Sequence, residues 1–241
     1  MGLTHSPRIS TEGLIFCIDP GSEKCYPRSG TTMYDLVGSN NCTMTNMAAS
    51  NFKHDHGGYI TFDGSNEIVS LSTTLVSSTV YTVSCWFSCD DVAFAGSLLG
   101  FGTSSSNSQG IYLYGASAFC SMPTGGGFGF NNWSCECWGF SGANAILRGT
   151  GFHHLVATFN NANVEANKIW LDGEAKSMSN VGQNNANDSE PLSNQFKLGC
   201  NGWFTGSNLW NGNIAHCAIY NRILDDNEVR QNYLASKRRF L

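Results

Sequence analysis

The segment Asn211–Tyr233, NGNIAHCAIYNRILDDNEVRQNY, constrains this chain more than any other. Apolar residues alternate up to Tyr220 as in a strand with one face inward, and the pattern breaks at Asn221-Arg222. Asp225 followed three residues later by Glu228 is the signature of a reciprocal helix cap, with Val229 and Tyr233 four apart on one helical face. The expected result is a last strand that feeds a short helix lying on a sheet edge.

Far upstream, Gly58–Leu71, GYITFDGSNEIVSL, reads as two strands, Tyr59–Phe62 and Glu67–Leu71, closing as a hairpin over Asp63-Gly64-Ser65-Asn66. Thr79–Cys89 alternates well: Val83, Cys85 and Phe87 share one face, and Thr82, Ser84, Trp86 and Ser88 the other. This is the pattern of a central strand. Further strands are expected at Gly13–Ile18, Ser97–Phe101, Gln109–Tyr114 and Phe196–Gly199, and a second hairpin joins His153–Phe159 to Lys168–Leu171. Met178–Pro191 reads as a linker, and no segment besides the closing one reads as a helix. The fold class is therefore all-β: a two-sheet antiparallel jelly-roll sandwich. It is read as one domain over 1–241, with an N-terminal arm 1–11 and a C-terminal helix and basic tail 225–241. The first and last apolar strands are expected side by side, since each would otherwise leave an open edge.

Composition narrows function by exclusion. Charged residues are 13% of the chain, against about 25% for an average domain. With a net charge of -5 and one basic cluster, Lys237-Arg238-Arg239, no nucleic-acid footprint is expected. No stretch is long and apolar enough to span a bilayer, and the N-terminus lacks the pattern of an export signal. A reducing compartment follows as an expectation. The ten cysteines are then read as small buried hydrophobes, with disulfides and metal as alternatives. Cys135 and Cys137 lack the spacing of a zinc knuckle.

The catalytic inventory is thin, and no catalytic residue is assigned. A retaining glycosidase needs two carboxyls about 5 Å apart, but Glu67 and Glu136 stand alone in the sequence, and Asp188 and Glu190 fall in the linker. His153-His154 has no accompanying nucleophile elbow. Two sets of residues remain as binding candidates. Asn201, Trp203, Phe204, Asn208 and Trp210 combine aromatic platforms with amides, which suits a sugar, although Trp210 could equally plug the end of the sandwich. Phe128, Phe130, Trp133 and Trp138, in the aromatic stretch 119–142, and the basic cluster Lys237, Arg238 and Arg239 are candidates for contact with a partner protein. The stretch 119–142 is read either as a hairpin over the sandwich or as a contact loop.

The opening GLIFCIDPGSEKCYPRSGTTMYDLVGSNN, the GGYITFDGSNEIVSL segment, HHLVATF with KIWLDGE, and the closing strand and helix occur in an order that resembles the laminin-G-like jelly rolls of the concanavalin A-like lectin/glucanase superfamily. Within it, the versions found in marine bacteriophage structural proteins match best. That resemblance implies a non-enzymatic virion protein assembled in the host cytoplasm, decorating the capsid exterior. Its partners would be the major capsid protein or other virion proteins, with self-association as a further option. The alternative it implies is a carbohydrate-binding module of a tail fibre or appendage, binding a surface glycan. No cofactor is expected. Calcium is the one metal the fold brings into question, with Asp19, Asp63, Asp172 and Asp188 as loop carboxylates that turn formation explains equally well.

Overall fold

The computed structural model describes residues 8–71, 73, 75, 79–90, 95–102, 109–114, 125–132, 137–160, 163–181, 195–201 and 208–241. In chain order the early strands are β1 Leu14–Ile18, β2 Thr32–Met33, β3 Cys42–Thr45, β4 Phe52–Lys53, β5 Tyr59–Asp63 and β6 Ile68–Ser70. Then follow β7 Val80–Cys89, β8 Gly96–Phe101, β9 Gln109–Tyr114, β10 Gly127–Asn132 and β11 Cys137–Ser141. The later strands are β12 Phe152–Asn160, β13 Lys168–Leu171, β14 Glu174–Ala175, β15 Ser179–Asn180, β16 Phe196–Leu198 and β17 Asn211–Tyr220. Helices α1 Ala143–Leu147 and α2 Asp226–Phe240 complete the regular structure. The five-residue α1 carries no periodic apolar signal long enough to read from sequence.

Among the described residues these strands form two antiparallel sheets. The first has the order β14-β13-β12-β7-β17-β5-β4, and the second β15-β11-β10-β9-β8-β16-β6-β3-β2. Strand β17 shares one edge between two partners: β5 pairs with Asn211–Ile214, and β1 with Cys217–Tyr220. The first and last apolar strands are thus neighbours, as the edge argument requires.

The two sheets enclose one core. Val83, Cys85 and Phe87 of β7 and Leu155, Ala157 and Phe159 of β12 face Leu99, Ile111, Leu113, Phe128 and Phe130 of the second sheet. Ring packing orients the contact, with Tyr81 stacked on Phe159 at 4.5 Å and Phe130 edge-on to Phe159 at 4.9 Å.

One expectation fails in an instructive way. Strands β5 and β6 are not a hairpin: β5 pairs with β17 and β4 in the first sheet, and β6 with β16 and β3 in the second. The 63–66 turn carries the chain around the corner of the sandwich. Its brace is local, since Asp63 accepts the Ser65 N–H at 2.8 Å and Glu67 accepts the Asp63 N–H at 3.3 Å. Alternation tells which residues point inward but not which strand lies alongside, so both arrangements satisfy the same pattern.

The closing helix departs from expectation in its seat. Asp225 accepts the Glu228 N–H at 2.9 Å and Glu228 accepts the Asp225 N–H at 3.2 Å, so the reciprocal cap is present. But α2 lies on the outer face of the first sheet, not on its edge. Val229, Asn232 and Phe240 are buried against Trp86, Val156, Trp170, Ala215, Ala218 and Tyr220. The residues of β7 that alternate outward, Thr82, Ser84, Trp86 and Ser88, are therefore buried as well. A polar network pins the helix start to the arm: Asn232 accepts the Ser10 N–H at 2.8 Å and donates to Tyr220, whose hydroxyl donates to the Ser10 carbonyl at 3.0 Å.

Eight of the ten cysteines are described, and all eight are buried. Cys120 and Cys135 lie outside the described residues. Burial pushes the Cys25 thiol up to about 11 and Cys200 to about 12, which leaves almost no thiolate at neutral pH. In native protein titrated with a thiol-specific disulfide reagent, the eight buried thiols are expected to stay unreacted until denaturation. Rapid reaction of Cys17, Cys85 or Cys217 would contradict this packing.

Candidate functional site

The segment singled out as a sugar platform, Asn201–Trp210, is held at both ends. Trp210 is fully buried: its Nε1 donates to the Ser88 carbonyl at 3.2 Å and its ring meets Phe87 edge-on at 5.7 Å. It is the plug and not a platform, since its ring packs in the core between the sheets. Asn201 is buried too, with its Nδ2 donating to the Tyr112 hydroxyl at 3.2 Å. Asn208 is half-buried in a left-handed turn with φ 54°, and its carbonyl accepts the Ser97 N–H at 2.9 Å. Trp203 and Phe204 lie outside the described residues. The structure therefore fixes the stem of this turn onto β8 and β9.

Sequence reasoning missed Tyr112. Strand β9 points Ile111 and Leu113 into the core, while Tyr112 and Tyr114 stack at 5.6 Å on the other face, beside Cys137 and Val181. The alternation Gln109–Tyr114 carried that signal, had both faces been followed.

Within the aromatic stretch 119–142, the described strands β10 and β11 pair antiparallel in the second sheet. Phe128 and Phe130 are buried in the core, which takes them out of any surface contact. The reason is local: glycines alternate with them, so the large rings turn inward and the outward positions are bare. Gly129 and Gly139 face each other, and a Cβ at Gly129 would stand 2.3 Å from the Trp138 carbonyl oxygen. Trp138 is half-buried, its Nε1 donating to the Asn167 carbonyl at 3.1 Å. Trp133 lies outside the described residues.

The basic cluster belongs to the last turn of α2, where positive charge suits the helix end. Arg238 is exposed, and the Lys237 Nζ lies 5.6 Å from the Tyr233 ring centre. Arg239 is committed to the fold. Its guanidinium binds both Asp19 carboxylate oxygens and the carbonyls of His56, Gly57 and Gly58. Glycine is required there, because a Cβ at Gly57 would stand 2.3 Å from the Arg239 Nε.

The remaining ionisable groups are engaged in the same way. Burial alone would raise the Asp19 carboxyl, but the Arg239 hydrogen bonds and charge hold it below the usual range. Asp63 is also lowered, first by its hydrogen bond with Glu67 and then by Ser65, so Glu67 is not isolated in space. Asp172 accepts the His154 N–H and the His153 Nδ1, each at 2.8 Å. These three carboxylates are spent on protein donors, an arrangement that does not fit a calcium cage, and Asp188 lies outside the described residues. Among the described residues, no three His, Cys, Asp or Glu side chains converge as a metal site would need.

Thr150, His153 and Asp172 have the connectivity of a hydroxyl–imidazole–carboxylate relay, with contacts of 2.9 and 2.8 Å. The hydroxyl, however, donates its proton to the Ile146 carbonyl at 2.7 Å. His153 bridges Thr150 and Asp172 and so serves as a clip between the α1 connection and the β13–β14 turn.

Two opposed antiparallel sheets with this strand order and a closing C-terminal helix define a jelly-roll sandwich. A family model described as the concanavalin A-like lectin/glucanases superfamily matches residues 63–230, and the chain belongs to that family. No curated protein sequence is a significant match. Among solved structures, the chain resembles a Trypanosoma rangeli sialidase in complex with sialic acid, with a TM-score of 0.59, 14% identity, and coverage of 97% of this chain and 34% of that one. It also resembles domain 4 of AbnA, an extracellular arabinanase from Geobacillus stearothermophilus, in complex with arabinotriose: TM-score 0.56, 16% identity, 94% of this chain and 100% of that one. The receptor binding domain of botulinum neurotoxin mosaic serotype C/D gives a TM-score of 0.52 at 10% identity, covering 92% of this chain and 50% of that one. The chain spans about a third of the sialidase's length. At these identities the likeness is one of fold. It overturns the expectation of a capsid decoration protein, since these structures are a sialidase, an arabinanase domain and a toxin receptor-binding domain, with no link to a phage protein.

Proposed function

We propose that the chain is a non-catalytic carbohydrate-binding module of the lectin type, with the 201–210 turn supplying the sugar contact. Its carrying observation is the near end-to-end likeness to the arabinanase domain, which covers 94% of this chain and all of that one and is bound to arabinotriose. The local chemistry agrees. Trp210 and Asn201 anchor the two ends of the segment, Asn208 offers an amide, and the sequence between them carries Trp203 and Phe204. An aromatic ring beside amides suits the apolar face and hydroxyls of a pyranose or furanose. The non-catalytic reading rests on Asp19, Asp63 and Asp172, each held by its own protein donors.

A glycan array that includes arabino-oligosaccharides and sialylated glycans tests this reading. Wild-type protein is expected to bind at least one class, and Trp203→Ala to bind it about tenfold more weakly, about 1.4 kcal/mol. Equal binding by the variant would remove the turn from the site, and no binding by wild type would overturn the proposal.

A further inference from the structure

Helix α2 covers an unusual residue. His154, on the outer face of β12, is 1% exposed. Its ring lies between Trp86 of β7, at 5.1 Å, and Tyr233 of α2, at 6.0 Å. Its Nε2 meets the Ser84 hydroxyl at 2.9 Å, while its Nδ1 is buried with no hydrogen-bond partner. A neutral imidazole can leave one nitrogen bare at modest cost. An imidazolium cannot, because its second N–H would be buried without an acceptor.

We propose that α2 is an acid-released cover, in which charging His154 frees the helix and bares the aromatic outer face of the first sheet. The groups around the ring set its behaviour. From β7 come Ser84 and Trp86, and from α2 come Tyr233 and, beyond it, Lys237. His216 of β17 adds a second imidazole, its Nε2 3.3 Å from the Cys17 Sγ of β1, and the Asp19–Arg239 pair lies next to it. Asp172 is the nearby carboxylate, but it already serves His153 and the His154 backbone.

Burial, then the neighbouring His216, push His154 down to about 3 against the opposing pull of Asp172. A ring released to solvent titrates near 6.5, so the undocked state takes up the proton first. Docking is fully favoured above that value and weakens as pH falls toward 3. The helix yields before the sheet because β12 is paired along its length with β7 and over Leu155–Thr158 with β13, whereas α2 is held by side chains alone. Its two end clamps, Arg222–Glu228 and Arg239–Asp19, retain their charges into the acid range because both carboxyls are lowered: Arg222's hydrogen bond leads for Glu228, and Arg239's overcomes burial for Asp19. They set how far the pH must fall.

Hydrogen-exchange mass spectrometry of the full chain, pulse-labelled between pH 7.5 and 3.5 with a parallel dye assay for exposed apolar surface, tests the proposal. In wild type, peptides covering 226–240 are expected to lose protection before those of β7 and β12, with a several-fold rise in dye fluorescence. His154→Leu, checked for native near-ultraviolet dichroism at pH 7.5, is expected to open at least about one pH unit lower. Arg239→Met keeps His154 and removes a clamp, so its helix is expected to open at higher pH. The proposal fails if helix and strands lose protection together, or if His154→Leu opens at the wild-type pH.

Discussion

Trp86→Ala is expected to lower stability by about 3–5 kcal/mol, the range for emptying a large aromatic from a packed core. Trp86 is fully buried although its place in the β7 alternation is outward. Its ring stacks on Phe240 at 4.6 Å and lies 5.9 Å from Tyr233, while its Nε1 donates to the Ser236 hydroxyl at 2.8 Å. Removing it opens a void between sheet and helix and deletes the main surface on which α2 rests. Trp86→Phe keeps most of the area and loses the hydrogen bond, so about 1 kcal/mol of additional destabilisation is expected from that term. Urea unfolding followed by far-ultraviolet dichroism measures both. A Trp86→Ala loss below about 1 kcal/mol would mean that α2 is not seated as described.

The second large effect is at the other end of the helix. Arg239→Ala is expected to cost about 2–4 kcal/mol, because charge-assisted hydrogen bonds are worth about 1.5–3 kcal/mol and losing one partner leaves the others unsatisfied. The Asp19 and Arg239 side chains are 17% and 26% exposed, so solvent screens part of the loss. The pH dependence carries the sign. The Asp19 carboxyl is held below its usual range in the folded chain, so its stabilisation is present above about pH 4 and is lost as pH falls through the folded value. In urea melts, the gap between wild type and Arg239→Ala should therefore narrow below about pH 4. A gap independent of pH would place the Arg239 contribution in its carbonyl contacts alone.

These two residues also show what could be read in advance. The sandwich was legible because β7 and β9 alternate along their length and β1, β12 and β17 over part of theirs, and because Asp225 and Glu228 mark a helix start by their spacing alone. Partner choice was not legible. The β5–β6 corner and a true hairpin demand the same alternation and the same turn residues, and only the rest of the sheet decides between them. Arg239 read as a partner-contact candidate in a basic tail since its own partners, Asp19 and Gly57, are 220 and 182 residues away. For Phe128, Phe130 and Trp210 the sequence left surface contact and core packing both open, because composition marks a ring but not its register, and the structure turns each of them inward. The converse error hid Tyr112, whose hydroxyl meets Asn201 from a strand chosen for its inward face.

Sugar binding without sugar chemistry is the behaviour that most directly distinguishes a lectin-type module from a hydrolase. Calorimetric titration of the full chain with arabino- and sialyl-oligosaccharides, followed by mass spectrometry of the recovered sugar, measures both at once. Saturable heat with at least one oligosaccharide, recovered intact after prolonged incubation, is the predicted result. Titrations without heat across both classes, or recovery of shortened sugar, would contradict it.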